Sequence, residues 1–283
     1  MDTKHADFAG SWYPGTAHAC ERDILDFLAD PLIRSVPGRE YRAGIVPHAG
    51  WFFSGALACH VFKTLRGKRK PDVIVLFGKH LGPRDPATIM VKGGLETPFG
   101  IIGIHEPLAL ALADTLNLTI EMASEAPPEN TLELQLPFVR YFFPDVPVIP
   151  LGVPPTALAE TLGREVVRLS RDMGLTIKAI GSTDLTHYGP NYGFSPAGTG
   201  KKGVAWVKEE NDKRMVNHLV AMNEKEILKE ALTAYNACCG GAAAAVVAAA
   251  KAMGADKGEL LGYTTSYDKR PDDSLVGYVG MVF

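Results

Sequence analysis

Apolar and polar positions along the chain alternate between short, fully apolar runs and longer stretches with helical spacing. Residues 43–46 are a short apolar run that Pro47 terminates, and Leu57, Ala58, Val61, Phe62 and Leu65 then recur at helical spacing. Val73 to Phe77 are consecutive apolar residues, the pattern of a strand buried on both faces. Residues 87–91 and 98–104 read as a pair of antiparallel strands around Gly93-Gly94. In 107–116, Leu108, Leu112 and Leu116 share a helix face. Residues 129–138 suit two periods. Leu132, Leu134 and Leu136 alternate as in a strand, whereas Leu132, Leu136 and Val139 fit a helix kinked at Pro137, which is the preferred reading. The prolines of 146–153 put that strand near a sheet edge or make it irregular. Residues 156–173 form an amphipathic helix, capped by Thr156 and ended by Gly174, and 175–181 form the next strand. Further helices follow, one opening at Asn223, then an alanine-rich buried helix after Cys239 and two closing strands. Near the amino terminus a helix from Thr16 presents Ile24, Leu25, Phe27 and Leu28, and Pro31 and Pro37 break the chain after it. Strand and helix alternate throughout, without an internal repeat or a dividing linker. The expectation is one α/β domain over residues 1–283, a mainly parallel central sheet flanked by helices.

Composition narrows the function classes. The chain has 283 residues, 46% hydrophobic and 22% charged, ordinary values for a globular protein with a large core. The net charge of −3 offers no global basic field, so neither nucleic acid nor an anionic membrane is an expected partner. The cluster Arg66-Gly67-Lys68-Arg69-Lys70 reads as a solvated helix end. The apolar stretch 242–250 is far shorter than the ~20 residues a membrane span needs. No export signal follows Met1, and a cytoplasmic location is expected. The four cysteines, Cys20, Cys59, Cys238 and Cys239, are then free thiols. Gly198-Thr199-Gly200-Lys201-Lys202 fails as a phosphate loop, with Ser195 and Lys202 in the positions that need Gly and Ser/Thr.

The candidate chemistry lies where strands end. His48, His80 and His187 each follow an apolar run, and ligands of open α/β sheets bind outside the carboxyl ends of strands. Asp184 stands three residues before His187. Cys238 and Cys239 open the alanine-rich helix, where the helix terminus favours a thiolate. One sheet edge can gather these groups. Two imidazoles and one thiolate, His48, His80 and Cys239, make a three-ligand site open to water or substrate, suited to iron or to softer metals such as copper or zinc. His187 is then an acid–base group oriented by Asp184. Trp12, Trp51 and Phe53 are candidate pocket walls, and Glu133 is a carboxylate able to point inward.

The motifs together resemble the Memo family, whose prokaryotic members are called AmmeMemoRadiSam system protein B. Gly10-Ser11-Trp12-Tyr13-Pro14 resembles its amino-terminal motif, and Pro47-His48-Ala49-Gly50-Trp51 its Pro-His-Ala-Gly-aromatic signature. Residues 129–138 resemble its Glu-His-Ser-Leu-Glu segment, residues 182–189 its Ser-Ser-Asp-aromatic-x-His-aromatic-Gly motif, and Cys239-Gly240 its Cys-Gly. Two positions depart: Lys79 precedes His80 where the family has Asn or Ser, and Asn130 stands at a family histidine. The resemblance implies a fold similar to class III extradiol dioxygenases, with His48, His80 and Cys239 at the metal and His187 as the catalytic histidine. It further implies one iron or copper ion, redox chemistry on a small-molecule or peptide substrate, and partner proteins of a radical-enzyme system. The alternative it leaves open is a non-catalytic peptide- or protein-binding module on the same fold.

Overall fold

In the computed structural model, residues 2–30, 36 and 38–283 are described. The expected break at Pro31 and Pro37 lies outside them. The strands in chain order are β1 (Thr3–Lys4), β2 (Ala43–Val46), β3 (Val73–Gly78), β4 (Thr88–Met90), β5 (Gly94–Leu95) and β6 (Ile102–Gly103). They continue with β7 (Thr119–Glu121), β8 (Val148–Gly152), β9 (Ile177–Ser182), β10 (His187–Tyr188), β11 (Glu259–Thr265) and β12 (Leu275–Val282). The large sheet has the order β10-β12-β2-β9-β3-β8-β4-β7, with β11 also on β12. Its centre, β2-β9-β3-β8, is parallel. Antiparallel pairings extend it on both sides, through β12 on β2 and β4 on β8.

The central strands are buried at every position because helices cover both faces. Along β3, Val73, Val75 and Phe77 enter one core, and Ile74 and Leu76 enter the other. The first core is closed by the helices Leu158–Asp172 and Gly240–Ala252, the second by Trp51–Arg66 and Leu136–Phe142. The alanine run exists for close approach. A Cβ on Gly163 would stand 2.1 Å from the Ala245 carbonyl oxygen, and one on Gly181 would stand 2.6 Å from Val246 Cγ1. Helix, helix and strand thus meet nearly backbone to backbone. Among the described residues no helix is long and apolar enough to cross a membrane.

Three local expectations change. Residues 87–91 and 98–104 do not pair with each other. Thr88–Met90 joins the large sheet, while Gly94–Leu95 and Ile102–Gly103 make a small sheet with the amino-terminal Thr3–Lys4. The proline-bearing β8 is interior: Pro150 lies opposite Leu76 of β3, and β4 pairs with β8 beyond it, at Leu151 and Gly152. Residues 130–142 are helical, but in two pieces, Asn130–Glu133 and Leu136–Phe142.

A buried polar network holds the segment around His187. A π-helical turn, Val207–Asn211, leads into the helix Asp212–Val220. The Asp212 carboxylate accepts from the Thr186 N–H (3.0 Å), the Thr186 hydroxyl and the Tyr263 hydroxyl (2.7 Å). A Cβ on Gly277 would stand 1.8 Å from Asp212 Oδ2, so only glycine admits the carboxylate there. Burial pushes the Asp212 carboxyl up to about 6, against the pull of its hydrogen bonds from Thr186 and Tyr263.

Replacing Gly163 by Ala drives a Cβ into a helix carbonyl. It is expected to lower unfolding free energy by about 3 kcal/mol in a denaturant titration, against about 1 kcal/mol for Gly174→Ala at a roomy positive-φ site. Asp212 makes a pH signature. Its folded pKa lies above its value of 3.8 in an unfolded chain, so the folded state binds the extra proton. Stability from this group is therefore greatest at acid pH and falls as pH rises from about 4 to about 6, by up to ~3 kcal/mol. Asp212→Asn is expected to remove that slope, read as the difference between variant and wild-type unfolding curves across the window.

Candidate metal centre

β2, β9 and β3 are neighbours and run in one direction, so their carboxyl ends open at one place. Pro47 ends β2 and delivers His48. At the end of β3 the chain turns through Lys79 in a left-handed conformation (φ 70°). The Lys79 N–H donates to Thr131 Oγ1 (2.7 Å), and its ammonium reaches Glu121 (2.6 Å). The cation that sequence places beside His80 therefore turns away from it. Gly78 lets the short helix 130–133 sit on this exit, since a Cβ there would lie 2.5 Å from Thr131 Oγ1. The His48 and His80 rings meet edge to face, 4.9 Å between centroids.

Cysteine enters from the far end of the chain. Thr183, just past β9, accepts the Cys239 N–H (3.1 Å), and the Asp184 carbonyl accepts the Cys238 N–H (3.1 Å). These bonds dock the start of the helix Gly240–Ala252 on the sheet edge. Cys238 Sγ lies 3.2 Å from His48 Nε2, and Cys239 Sγ lies 3.9 Å beyond. One ligand atom from each of His48, His80, Cys238 and Cys239 falls within 4.8 Å of all the others, a group able to hold a metal ion. Cys238 is the member that sequence alone left unchosen. The adjacent pair was visible at the helix start, but which thiol faces the histidines depends on the docking through Thr183 and Asp184.

Surrounding groups orient the donors. The Ser182 hydroxyl donates to the Thr131 carbonyl (2.6 Å), which leaves its oxygen to accept from His48 Nδ1 (3.1 Å). Nδ1 thus carries a proton and Nε2 faces the thiols. Burial opposes charge on His48, but Asp184 and Cys238 outweigh it and raise its pKa to about 9. Cys238 is lowered well below the usual thiol range: burial works against the thiolate, and Cys239 and His48 overcome it. Cys239 is raised, by burial and by Cys238 beside it. Burial raises Asp184 as well, with His48 opposing.

The other expected residues divide. Asp184 does not orient His187. Its Oδ1 accepts the His48 N–H (2.7 Å), and its Oδ2 lies 3.8 Å from His48 Nε2. His187 instead donates Nδ1–H to the Leu185 carbonyl (3.2 Å), because a carbonyl only accepts, and so keeps the Nε2 lone pair. Trp12 and Phe53 line a cleft of about 530 Å³ together with His48, His80, Asp184 and His187. Trp51 is not there. It is buried, stacks on Phe138 at 4.3 Å and donates to the Leu134 carbonyl (3.2 Å). Glu133 is also elsewhere, accepting from the Asp7 and Phe8 N–H groups and the Tyr13 hydroxyl (3.0, 2.7 and 3.0 Å). It ties down the amino-terminal arm. Asn130 lines the cleft and donates to the His48 carbonyl (3.1 Å). A second cleft, about 750 Å³, lies beside the first and is lined by Cys238, Phe194 and Tyr235. His80, His187 and Tyr192 border both.

Known proteins agree with this architecture. The solved structure of an uncharacterized protein from Escherichia coli K12 superposes with a TM-score of 0.52 at 12% identity, covering 86% of this chain and 100% of that one, a likeness of fold. A MEMO1 family protein of Pyrococcus furiosus is 31% identical over 288 residues, 99% of this chain and 98% of its own. Another, from Thermococcus onnurineus, is 30% identical over 286 residues, 97% of each. The model of the family described as Memo-like protein matches residues 4–282, and the chain belongs to that family.

Proposed function

We propose that the protein is a metal-dependent oxidoreductase, dioxygenase-like in chemistry, built on one ion held by His48, His80 and the thiolate of Cys238, with Cys239 beside it. The observation that carries this reading is the convergence of two imidazoles and two thiols within 4.8 Å, with His48 and His80 lining one cleft, His80 and Cys238 the adjoining one, and His187 bordering both. The donor set fits a metal. His48 Nε2 is aimed by the Ser182 hydroxyl, and Cys238 favours its thiolate form. Iron or copper is the expected ion, and the second thiol shifts the preference towards copper. When bound, that ion supplies one-electron chemistry with oxygen. The chain's own residues do the rest. His187, with Nε2 free, takes or returns a substrate proton. Trp12 and Phe53 wall the substrate in, and the adjoining cleft admits a longer molecule, so a small aromatic compound or a peptide side chain is the expected substrate class.

Zinc-assisted hydrolysis is less well supported, because it needs a carboxylate base. Glu133 is engaged by the amino-terminal arm, and Asp184 already holds the His48 backbone.

Elemental analysis of anaerobically purified protein tests the metal. Wild type is expected to carry iron or copper stoichiometrically, with His48→Ala and Cys238→Ser losing it. Ser182→Ala is expected to weaken metal affinity about 10–100-fold by freeing the His48 tautomer. Full metal content in folded His48→Ala would sink the site. Protein that stays metal-free after reconstitution would leave the clefts as a peptide-binding surface, anchored by the exposed Trp12, Phe52 and Tyr235. Activity is a separate test. Oxygen consumption with catechols is expected in the metal-loaded protein and is expected to fall by about 10²-fold or more in His187→Ala at unchanged metal content.

A further inference from the structure

The opposite end of the same sheet carries a separate concave site. A cleft of about 620 Å³ opens at the amino ends of β2 and β9, lined by Arg42, Arg69, Lys70, Arg171, Lys178 and one acid, Glu40. Five cations and one carboxylate converge in a chain whose net charge is −3. Val167, Leu175 and Met253 supply apolar wall.

Helix ends explain only part of this charge. The helices Trp51–Arg66, Leu158–Asp172 and Gly240–Ala252 terminate nearby, and cations offset the negative ends of helices. Arg171 does so directly, donating to the Ala252 carbonyl (3.3 Å). Arg42 and Lys178 are different, because they belong to strand ends. Ala43 of β2 pairs with Ala179 of β9, so the residues preceding them stand side by side as like charges. Such cross-strand pairs destabilise a sheet. Lys178 is buried, donates to the Tyr41 carbonyl and meets Glu40 at 3.6 Å. Burial pulls its amine below the usual lysine range; Glu40 opposes this and Arg42 reinforces it. Arg42, Arg69 and Lys70 have no carboxylate within ion-pair distance among the described residues. The fold tolerates repulsion here that a bound anion would relieve.

We propose that this cleft binds a small, multiply charged anion carrying phosphate or carboxylate groups. Its volume is that of a small-molecule site, and guanidinium forks match both kinds of group. Its concave form and the lack of an aromatic residue among its lining residues argue against a nucleic-acid strand, which calls for a long groove and stacking platforms. The site is independent of the metal centre, since it sits at the other pole of the sheet.

Isothermal titration at low ionic strength tests it, with inorganic pyrophosphate and citrate as separate probes. The proteins are wild type, Arg42→Gln, Lys178→Met and His48→Ala. Saturable binding is expected in wild type and His48→Ala, and about tenfold or more weaker in Arg42→Gln and Lys178→Met. Pyrophosphate binding alone assigns phosphate groups, and citrate binding alone assigns carboxylates. Ligand-free Arg42→Gln is expected to melt no lower than wild type, because it removes a repulsive partner without breaking an ion pair. Three results would overturn the proposal. They are no saturable binding of either probe in the millimolar range, affinity unchanged in both cleft variants, or binding that disappears in His48→Ala.

Discussion

Parallel strands lying side by side must end at the same level, and that constraint organises this molecule. β2, β9 and β3 deliver His48, Ser182 to Asp184, and His80 to one edge. No residue between them in sequence has to cooperate for the histidines to meet. What must cooperate is packing. The helix that brings Cys238 and Cys239 reaches this edge because Gly181 and Gly163 let it lie almost on the backbone of its neighbours. The alanine run is thus part of the site's architecture, though it supplies no ligand.

The edge is polar and buried, so its groups have to satisfy one another. Thr131 is the hinge of that arrangement: its hydroxyl accepts from Lys79, donates to Glu129, and its carbonyl accepts from Ser182. Ser182 then has only an acceptor left for His48. The protonation pattern of a candidate ligand is therefore set by a hydroxyl, a carbonyl and a helix start on another segment. Asp184 fits the same logic. Its carboxylate receives the His48 N–H, its carbonyl receives the Cys238 N–H, and together they join the first and last contributors to the cluster.

Most of the frame was legible in sequence because fully buried strands leave an unmistakable mark. The runs at 43–46 and 73–77 have no polar interruption, and a histidine at each exit stands out. Features set by tertiary partners were not legible. Gly94–Leu95 and Ile102–Gly103 are too short to carry a period, and their sheet is completed by residues from the amino terminus. Pro150 tolerates an interior strand because β4 takes up its pairing only at Leu151 and Gly152. Trp51 and Glu133 sit in motifs beside the site, yet the phase of their helices points one into the core and the other at the amino-terminal arm. Cys239 lies in the family-like Cys-Gly pair and belongs to the cluster, but Cys238 is nearer His48, a matter of docking geometry. Asp212 left no sequence signal at all beyond the glycine that makes room for it.

The two poles of the sheet differ in how their charges are balanced. At the carboxyl edge the anionic and cationic tendencies are matched: Cys238 and Asp184 face His48, and the buried Lys79 turns away to pair with Glu121. At the amino edge they are not, and Arg42 and Lys178 stand together with Glu40 as their nearby acid. Local rules broken without compensation within a fold are most readily understood as sites whose compensation arrives from outside. On that reasoning the cluster at 66–70, which sequence treats as a solvated helix end, divides in two. Arg66 lies in the last turn of its helix and complements it, whereas Arg69 and Lys70 turn into a cleft already rich in positive charge.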